Sequence, residues 1–223
     1  MKETKIYGIY KDKKQLFTVN LKELKGQKVY GEKIIKKDNT EYRSWNPYRS
    51  KLAALILKKS EIELRPDFSV LYLGAATGTT VSHLSDILKD GVIYAVENSA
   101  ISMKKLIKVC EKRKNIIPIF EDAFHFEKYQ VILTKVDLIY QDISQRNQSE
   151  IFIGNLEKYL KKDGLGILMV KSRSIDVSLK PNEAYDMVCD KLQDKNLKIL
   201  DLVDLSPYEK DHAAIIIEKY ANN

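Results

Sequence analysis

The strongest constraint on this chain is the stretch Val70-Leu71-Tyr72-Leu73-Gly74-Ala75-Ala76-Thr77-Gly78-Thr79-Thr80, followed over 92–97 by Val-Ile-Tyr-Ala-Val-Glu. A β-prone apolar run enters a loop with two glycines, the loop opens an amphipathic segment, and a second apolar run ends on one acidic residue. This is the pattern of a βαβ unit. Gly74 and Gly78 can take backbone angles that a Cβ forbids, and the free amides of the next helix's first turn face the same loop. Glu97 follows Gly74 by 23 residues, the place where a carboxylate at a strand end accepts hydrogen bonds from ribose hydroxyls. The loop reads G-x-x-x-G and lacks the third glycine of the dinucleotide fingerprint. The spacing therefore suits a nucleoside without phosphates, S-adenosylmethionine, better than NAD.

Elsewhere the chain alternates. Before this unit, residues 6–10, 15–20, 28–35 and 41–45 are short β-prone runs broken by Asp-Lys-Lys, Lys-Gly and Asp-Asn turns. They predict a small N-terminal antiparallel β domain over 1–45, too short to be stable alone and so packed on the larger domain, 46–223. Asn46 or Ser50 can cap a helix over 50–59 that carries Leu52, Leu55, Ile56 and Lys59 at helical spacing. Strands follow at 69–73, 92–97, 116–120, 136–140 and 164–170, with helices between them. Another helix runs from Asn182 to about Asp194, and the strands 198–205 and 213–218 end the chain. The alternation predicts an α/β, Rossmann-like, seven-stranded and mostly parallel sheet. No helix separates the last two strands, so the last must run antiparallel. Its start, at His212, then lies on the rim where the parallel strands end, beside Asp142 and Lys171.

Composition narrows the classes. With 223 residues, 44% of them hydrophobic, the chain can fill one sizeable core. No apolar run reaches the length of a membrane span and no leader is visible, so we expect a cytoplasmic protein with no membrane contact. Cys110 and Cys189 lie in helical patterns without a CxxC partner and are expected to be core thiols. The three histidines show no metal spacing, so no metal is expected. Of the net charge of +7, residues 1–47 carry +6, from 12 basic against 6 acidic side chains. Such an excess fits a polyanion such as RNA or an acidic protein surface, and equally a lysine-rich solvated face.

Several longer motifs make the chain resemble fibrillarin, in its archaeal form without a glycine- and arginine-rich tail. They are Trp45-Asn46-Pro47-Tyr48-Arg49-Ser50-Lys51-Leu52-Ala53-Ala54, the loop Gly74–Thr80, Arg113-Lys114-Asn115-Ile116-Ile117-Pro118-Ile119, Val136–Asp142, Lys171-Ser172-Arg173-Ser174-Ile175-Asp176 and Glu209-Lys210-Asp211-His212. The resemblance implies a class I methyltransferase fold and methylation of ribose 2′-hydroxyls in rRNA and tRNA, with S-adenosylmethionine as methyl donor. It also implies partners: a box C/D guide RNA, the target RNA, a Nop-domain scaffold protein and a kink-turn-binding ribosomal-protein homologue.

The family's catalytic set falls on Lys51, Asp142, Lys171 and His212. A ribose hydroxyl is a weak acid, so attack on a sulfonium methyl needs proton removal and held geometry. Lys171 is expected to orient or deprotonate the hydroxyl, its pKa lowered by the neighbouring Lys51, with Asp142 holding Lys171 and His212 completing the charge network. For the cofactor, Gly74, Ala75, Thr79 and Thr80 are expected at the methionine part, Glu97 at the ribose, and Asp122 and Ala123 at the adenine. Gln145 closes over the methionine end, and Asp142 faces the sulfonium. Asn98 stands where the family commonly has an aromatic residue beside the adenine, Ser144-Gln145-Arg146-Asn147-Gln148 replaces Ala-Gln-Pro-Asn-Gln, and Asn46 replaces Asp. Arg49, Arg146 and Arg173 are expected to meet RNA phosphates.

Taken singly these residues read as ordinary: Lys51 as a helix-surface lysine, Asp142 as a cap, His212 as a strand-end histidine. Their joint place on one rim gives them weight. His83, His125, Tyr140 and Phe126 read as structural. The readings set aside are a methyltransferase for small molecules or proteins, an NAD-dependent oxidoreductase, and a non-catalytic RNA-binding scaffold that keeps the cofactor fold.

Overall fold

The computed structural model describes residues 1–58 and 62–219; Lys59 of the expected first helix lies outside them. Two sheets make the frame. The first is antiparallel, in the order β1-β2-β3-β5-β4, with β1 at Lys2–Glu3, β2 at Ile9–Asp12, β3 at Gln15–Val19, β4 at Ile34–Lys37 and β5 at Thr40–Trp45. Two-residue turns set its register: Lys13 is left-handed between β2 and β3, and both Asp38 and Asn39 are left-handed between β4 and β5.

The strand expected over 28–35 forms only from Ile34. Glu32 is the reason. Its buried carboxylate collects the backbone amides of Val29 (3.0 and 3.1 Å) and Tyr30 (2.9 Å), and Gly31 turns left-handed at φ +84°. The segment winds around a carboxylate instead of laddering. The expected strand at 6–10 likewise starts late, at Ile9.

The second sheet has the order β11-β12-β10-β9-β6-β7-β8. Its strands are β6 at Ser69–Leu73, β7 at Val92–Glu97, β8 at Ile116–Phe120, β9 at Val136–Gln141, β10 at Leu160–Lys171, β11 at Leu197–Asp204 and β12 at His212–Lys219. Strand β12 runs antiparallel to both neighbours, as the missing crossover helix requires. The helices are α1 at Lys51–Leu57, α2 at Thr79–Ile87, α3 at Ala100–Cys110, α4 at Gln148–Tyr159, a single turn α5 at Ser172–Ile175, and α6 at Pro181–Gln193. No helix among the described residues is long and apolar enough to cross a membrane.

One apolar cluster joins the sheets, placing Ile9, Leu16 and Trp45 with Leu52, Leu84, Val70 and Ile216. Burying such side chains contributes roughly 1.5–3 kcal/mol each. Cys110 and Cys189, expected in the core, are only partly buried, and burial pushes the Cys110 thiol up to about 11.

Candidate active site

Strand order writes the order of the rim. Where the parallel strands end and β12 begins, neighbouring strands carry in turn His212 on β12, Lys171 on β10, Asp142 after β9, Gly74 after β6 and Glu97 on β7. At a strand spacing of about 4.8 Å, four gaps cover roughly 19 Å. The chain reverses direction across the sheet between β6 and β9, the switch point at which open α/β sheets hold ligands.

Gly74 sits at that switch, left-handed at φ +85°, and a Cβ there would come within 2.3 Å of the Asp142 carbonyl oxygen. Only glycine lets the two strand ends approach so closely. The Asp142 amide in turn donates to the Leu73 carbonyl at 2.9 Å, and Gly78, at φ +87°, caps α2.

A cleft of about 310 Å³ opens on the β7 side of the switch, between Gly74, Val96, Glu97, Ala123, Asp142 and Gln145, with Asn98 also on its wall. Among the described residues it is lined by three carboxylates, Glu97, Glu121 and Asp142, and by no lysine or arginine. Glu97 is fixed by two backbone amides, Ala76 to Oε2 and Ser99 to Oε1, both at 2.8 Å. Each oxygen keeps a second lone pair for a hydroxyl donor. Asn98 donates to Asp122 at 3.2 Å, and Gln145 approaches Asp122 at 3.5 Å, which puts the expected methionine-side glutamine beside the expected adenine-side carboxylate. Burial alone raises the Asp122 carboxyl, but the Phe124 amide, Asn98 and Gln145 outweigh it and hold it below its ordinary value. The wall chemistry fits a cationic nucleoside: acceptors for hydroxyls, apolar Val96, Ala123 and Ile143 for a base, and nothing basic for a pyrophosphate.

A smaller cavity of about 140 Å³ lies on the other side of Asp142, lined by Arg49, Lys51, Tyr72, Thr80, Asp142 and Glu209 among others, including Ala75 and Thr79. Lys51 Nζ donates to both oxygens of Asp142, at 2.8 and 3.1 Å, with the side chains 19% and 21% exposed. The carboxylate expected to hold Lys171 is thus paired with Lys51. Lys51 is placed by the start of α1: Ser50 caps the helix by accepting from the Ala53 amide, and Thr80 donates to the Ser50 hydroxyl at 2.9 Å. Tyr72 lies beneath; burial and then the Asp142 charge push its phenol far up, so it stays protonated.

Lys171 and His212 face each other as cross-strand partners, which leaves their side chains on one face. Gln148 accepts from the Lys171 amide at 3.3 Å. His212 Nδ1 lies 2.7 Å from the Lys210 carbonyl. A carbonyl only accepts, so Nδ1 donates, and Nε2 has no hydrogen-bond partner among the described residues. Neither residue lines the two cavities. Arg173 pairs with Asp211 at 3.2 Å, Arg146 is exposed, and the Arg49 guanidinium lies 4.8 Å above the Tyr30 ring.

Sequence reading named Ser50 only as a candidate cap and Ala76, Thr77 and Glu209 only within longer motifs, and placed none of them, nor Tyr72, in the second cavity. Glu209 had a signal, three residues before His212, and Ser50 one as the cap next to Lys51; Tyr72 had none, because an aromatic residue in a strand is an everyday feature.

The family model for fibrillarin matches residues 1–221. The fibrillarin-like rRNA/tRNA 2′-O-methyltransferase of Methanosarcina barkeri is 47% identical over 214 residues, covering 95% of this chain and 94% of that protein. Among solved structures, a fibrillarin/Nop5p complex is similar at TM-score 0.90 and 44% identity, covering 98% of this chain and 100% of the other. The Aeropyrum pernix fibrillarin in complex with natively bound S-adenosyl-L-methionine is similar at TM-score 0.82 and 43% identity, covering 91% and 88%.

Proposed function

Because the chain belongs to the fibrillarin family, we propose that it is an S-adenosylmethionine-dependent methyltransferase of RNA ribose 2′-hydroxyls, acting on rRNA and tRNA and guided by box C/D small RNAs within a ribonucleoprotein. The observation that carries this is the division of the rim at Asp142. On one side is a cleft with three carboxylates and no basic group; on the other is a cavity lined by Arg49 and Lys51. The nucleoside and sulfonium of the cofactor suit the first; the second suits anionic groups, the carboxylate of the cofactor's amino-acid part beside Ala75, Thr79 and Thr80 and an acceptor phosphate at Arg49.

When bound, S-adenosylmethionine supplies an electrophilic methyl group. Gly74, Ala75, Thr79 and Thr80 would hold its amino-acid part, Glu97 its ribose, and Asn98, Asp122 and Ala123 its base, with Gln145 across the cleft. Asp142 stands between the two sides and presents negative charge to both. Because it already binds Lys51, it anchors the head of α1 and leaves Lys171 free to meet an incoming hydroxyl. Lys171 orients that hydroxyl or takes its proton, and His212 backs it from the opposite strand with Nε2. Binding both reactants on one rim contributes the entropic part of the acceleration, and proton transfer a further factor of about 10²–10⁴.

The partners of this reading are the guide and target RNAs, a Nop-domain scaffold protein, and a kink-turn-binding ribosomal-protein homologue. The Nop5p complex of a relative supports the scaffold; the ribosomal-protein homologue and a cytoplasmic site of action rest on the family alone. Arg49, Arg146 and Arg173 would meet phosphates of the target, leaving base choice to the guide.

The test is methyl transfer from labelled S-adenosylmethionine to a guided RNA in the reconstituted complex. Label is expected on the ribose target, absent with a 2′-deoxy target nucleotide, and reduced at least a hundredfold with Lys171→Ala. Cofactor binding without transfer to either target would favour the non-catalytic scaffold; label on both targets would mean another acceptor atom.

A further inference from the structure

Beside the acceptor cavity runs a second, wider groove of about 570 Å³, between the turn after β3 and the length of α3. Its charged wall is Lys28, Lys105, Lys108 and Lys112, with Glu111 as the exposed acid; Arg113, at its floor, is consumed by Asp86 at 2.6 Å. All four lysines are exposed, and among the described residues none of their ammonium groups forms an ion pair or a side-chain hydrogen bond. Lys105 and Lys108, at i and i+3, share one face of α3, and Lys112 follows in the turn just past the helix end.

The groove is continuous with the site. Thr77, at the tip of the cofactor loop, lines both it and the acceptor cavity. Tyr30 lines the groove and carries Arg49 of the acceptor cavity on its ring, with Arg49 Nη1 donating to the Tyr30 carbonyl at 3.2 Å. A chain of positive charge thus leads from α3 past the loop to Lys51. Near the groove, Glu32 and Asp86 are turned inward and paired with Arg43 and Arg113, so they do not neutralise the lysines.

We infer that this groove is the track for the sugar-phosphate backbone of the RNA strand whose ribose is presented to the rim, with Lys28, Lys105, Lys108 and Lys112 as phosphate contacts. The inference rests on the reading of the chain as an RNA-modifying enzyme. The contacts are to phosphate, so they position the strand without reading its sequence. The unneutralised cations also explain where part of the N-terminal charge excess is used, since Lys28 belongs to it.

The test titrates the whole chain with a short single-stranded RNA across salt concentrations, following fluorescence anisotropy. Three phosphate contacts contribute about 2 to the slope of log K against log salt, which is about a hundredfold in affinity at 0.1 M salt. Lys105→Ala/Lys108→Ala/Lys112→Ala should lose both, and the same positions changed to arginine should keep them. Lys14→Ala/Lys162→Ala/Lys195→Ala, three exposed lysines away from the groove, should keep both. Equal losses in the two alanine variants would mean diffuse surface charge and overturn the inference, as would no loss in either or no binding by the unsubstituted chain. Retained RNA affinity with lost assembly on a protein partner would assign the groove to an acidic protein surface and overturn it too. Methyl transfer by the unsubstituted complex is scored separately: slope loss without any methyl transfer keeps the groove and removes the enzyme reading.

Discussion

Two clusters of opposite charge lie within one helix of each other and are built on different terms. Between the sheets, Arg43 donates to Glu32 at 2.7 Å and Asp86 at 2.6 Å, and Arg113 reaches the other oxygen of Asp86 at 2.6 Å. Thr18 donates to Asp86 at 2.7 Å, Thr18 meets His83 Nδ1 at 2.8 Å, and the partly buried Tyr30 meets His83 Nε2 at 2.6 Å; Thr18, His83 and Asp86 are shut from water. On the rim, Lys51 and Asp142 make one pair, about a fifth exposed, while Lys171 and His212 Nε2 stay open to a ligand. The first cluster is saturated and the second keeps spare valences. Saturation stabilises a fold, whereas spare donors at a strand edge are what chemistry needs.

The largest expected effect tests that contrast directly. Arg43→Ala removes the common partner of two buried carboxylates, and an uncompensated buried charge costs about 3–5 kcal/mol. For a chain of this size each kcal/mol lowers Tm by roughly 2–4 °C. Asp142→Asn should cost about 1 kcal/mol in urea unfolding, because its pair is partly solvated and the amide can still accept from Lys51, yet reduce methyl transfer at least a hundredfold. Equal stability losses in the two variants would break the comparison, since the rim pair would then be structural too.

How much of this was legible in the sequence follows the same division. The rim was readable because strand ends are local: an apolar run that stops at Gly74, Glu97, Asp142 or Lys171 announces its edge, and the antiparallel return of β12 follows from a missing helix. The buried cluster was not. Arg43, Glu32, Asp86 and Arg113 look like surface residues in any local window, and they meet only because the antiparallel sheet packs on α2. His83 read as structural and is so, stacked on Trp45 at 4.8 Å. The Lys51–Asp142 pair joins residues 91 apart, and nothing local says which lysine the carboxylate will take. The strand lost over 28–33 has the same origin, a carboxylate whose charge is cancelled from another strand by Arg43.

A pH titration gives a smaller but more pointed test. Burial, with Arg43 and Arg113 nearby, holds the His83 pKa well below its ordinary value. In the unfolded chain it returns to about 6.5. As pH falls, the unfolded state therefore takes the proton first, and stability, full above about pH 6.5, declines below it by at most about 1.4 kcal/mol per pH unit. Burial raises the Glu32 carboxyl, but Arg43 and the backbone amides outweigh it and leave it lowered. Its loss thus begins lower, below about pH 4.3. His83→Gln should flatten unfolding free energy between about pH 6.5 and 5 while leaving the acid limb. An unchanged slope in that window would mean that the imidazole accepts a proton in place and that the cluster is less closed than its geometry.

The smallest effect belongs to the residue that touches both regions. Ser50 is 3% exposed; it caps α1, whose first residue is Lys51, and it accepts from Thr80 on α2, the helix that supplies His83 and Asp86. Ser50→Ala removes the cap and orphans one buried hydroxyl, about 1 kcal/mol in all, whereas Ser50→Gly keeps the cap geometry and costs only a few tenths for the helix. If the cap's main task is to aim Lys51 at Asp142, then kcat should fall several-fold in Ser50→Ala at unchanged KM for the cofactor, beyond what a folded fraction above nine-tenths can explain. If stability falls and kcat does not, Ser50 belongs with the saturated cluster, and the boundary between the two regions lies one residue nearer to the rim, at Lys51 itself.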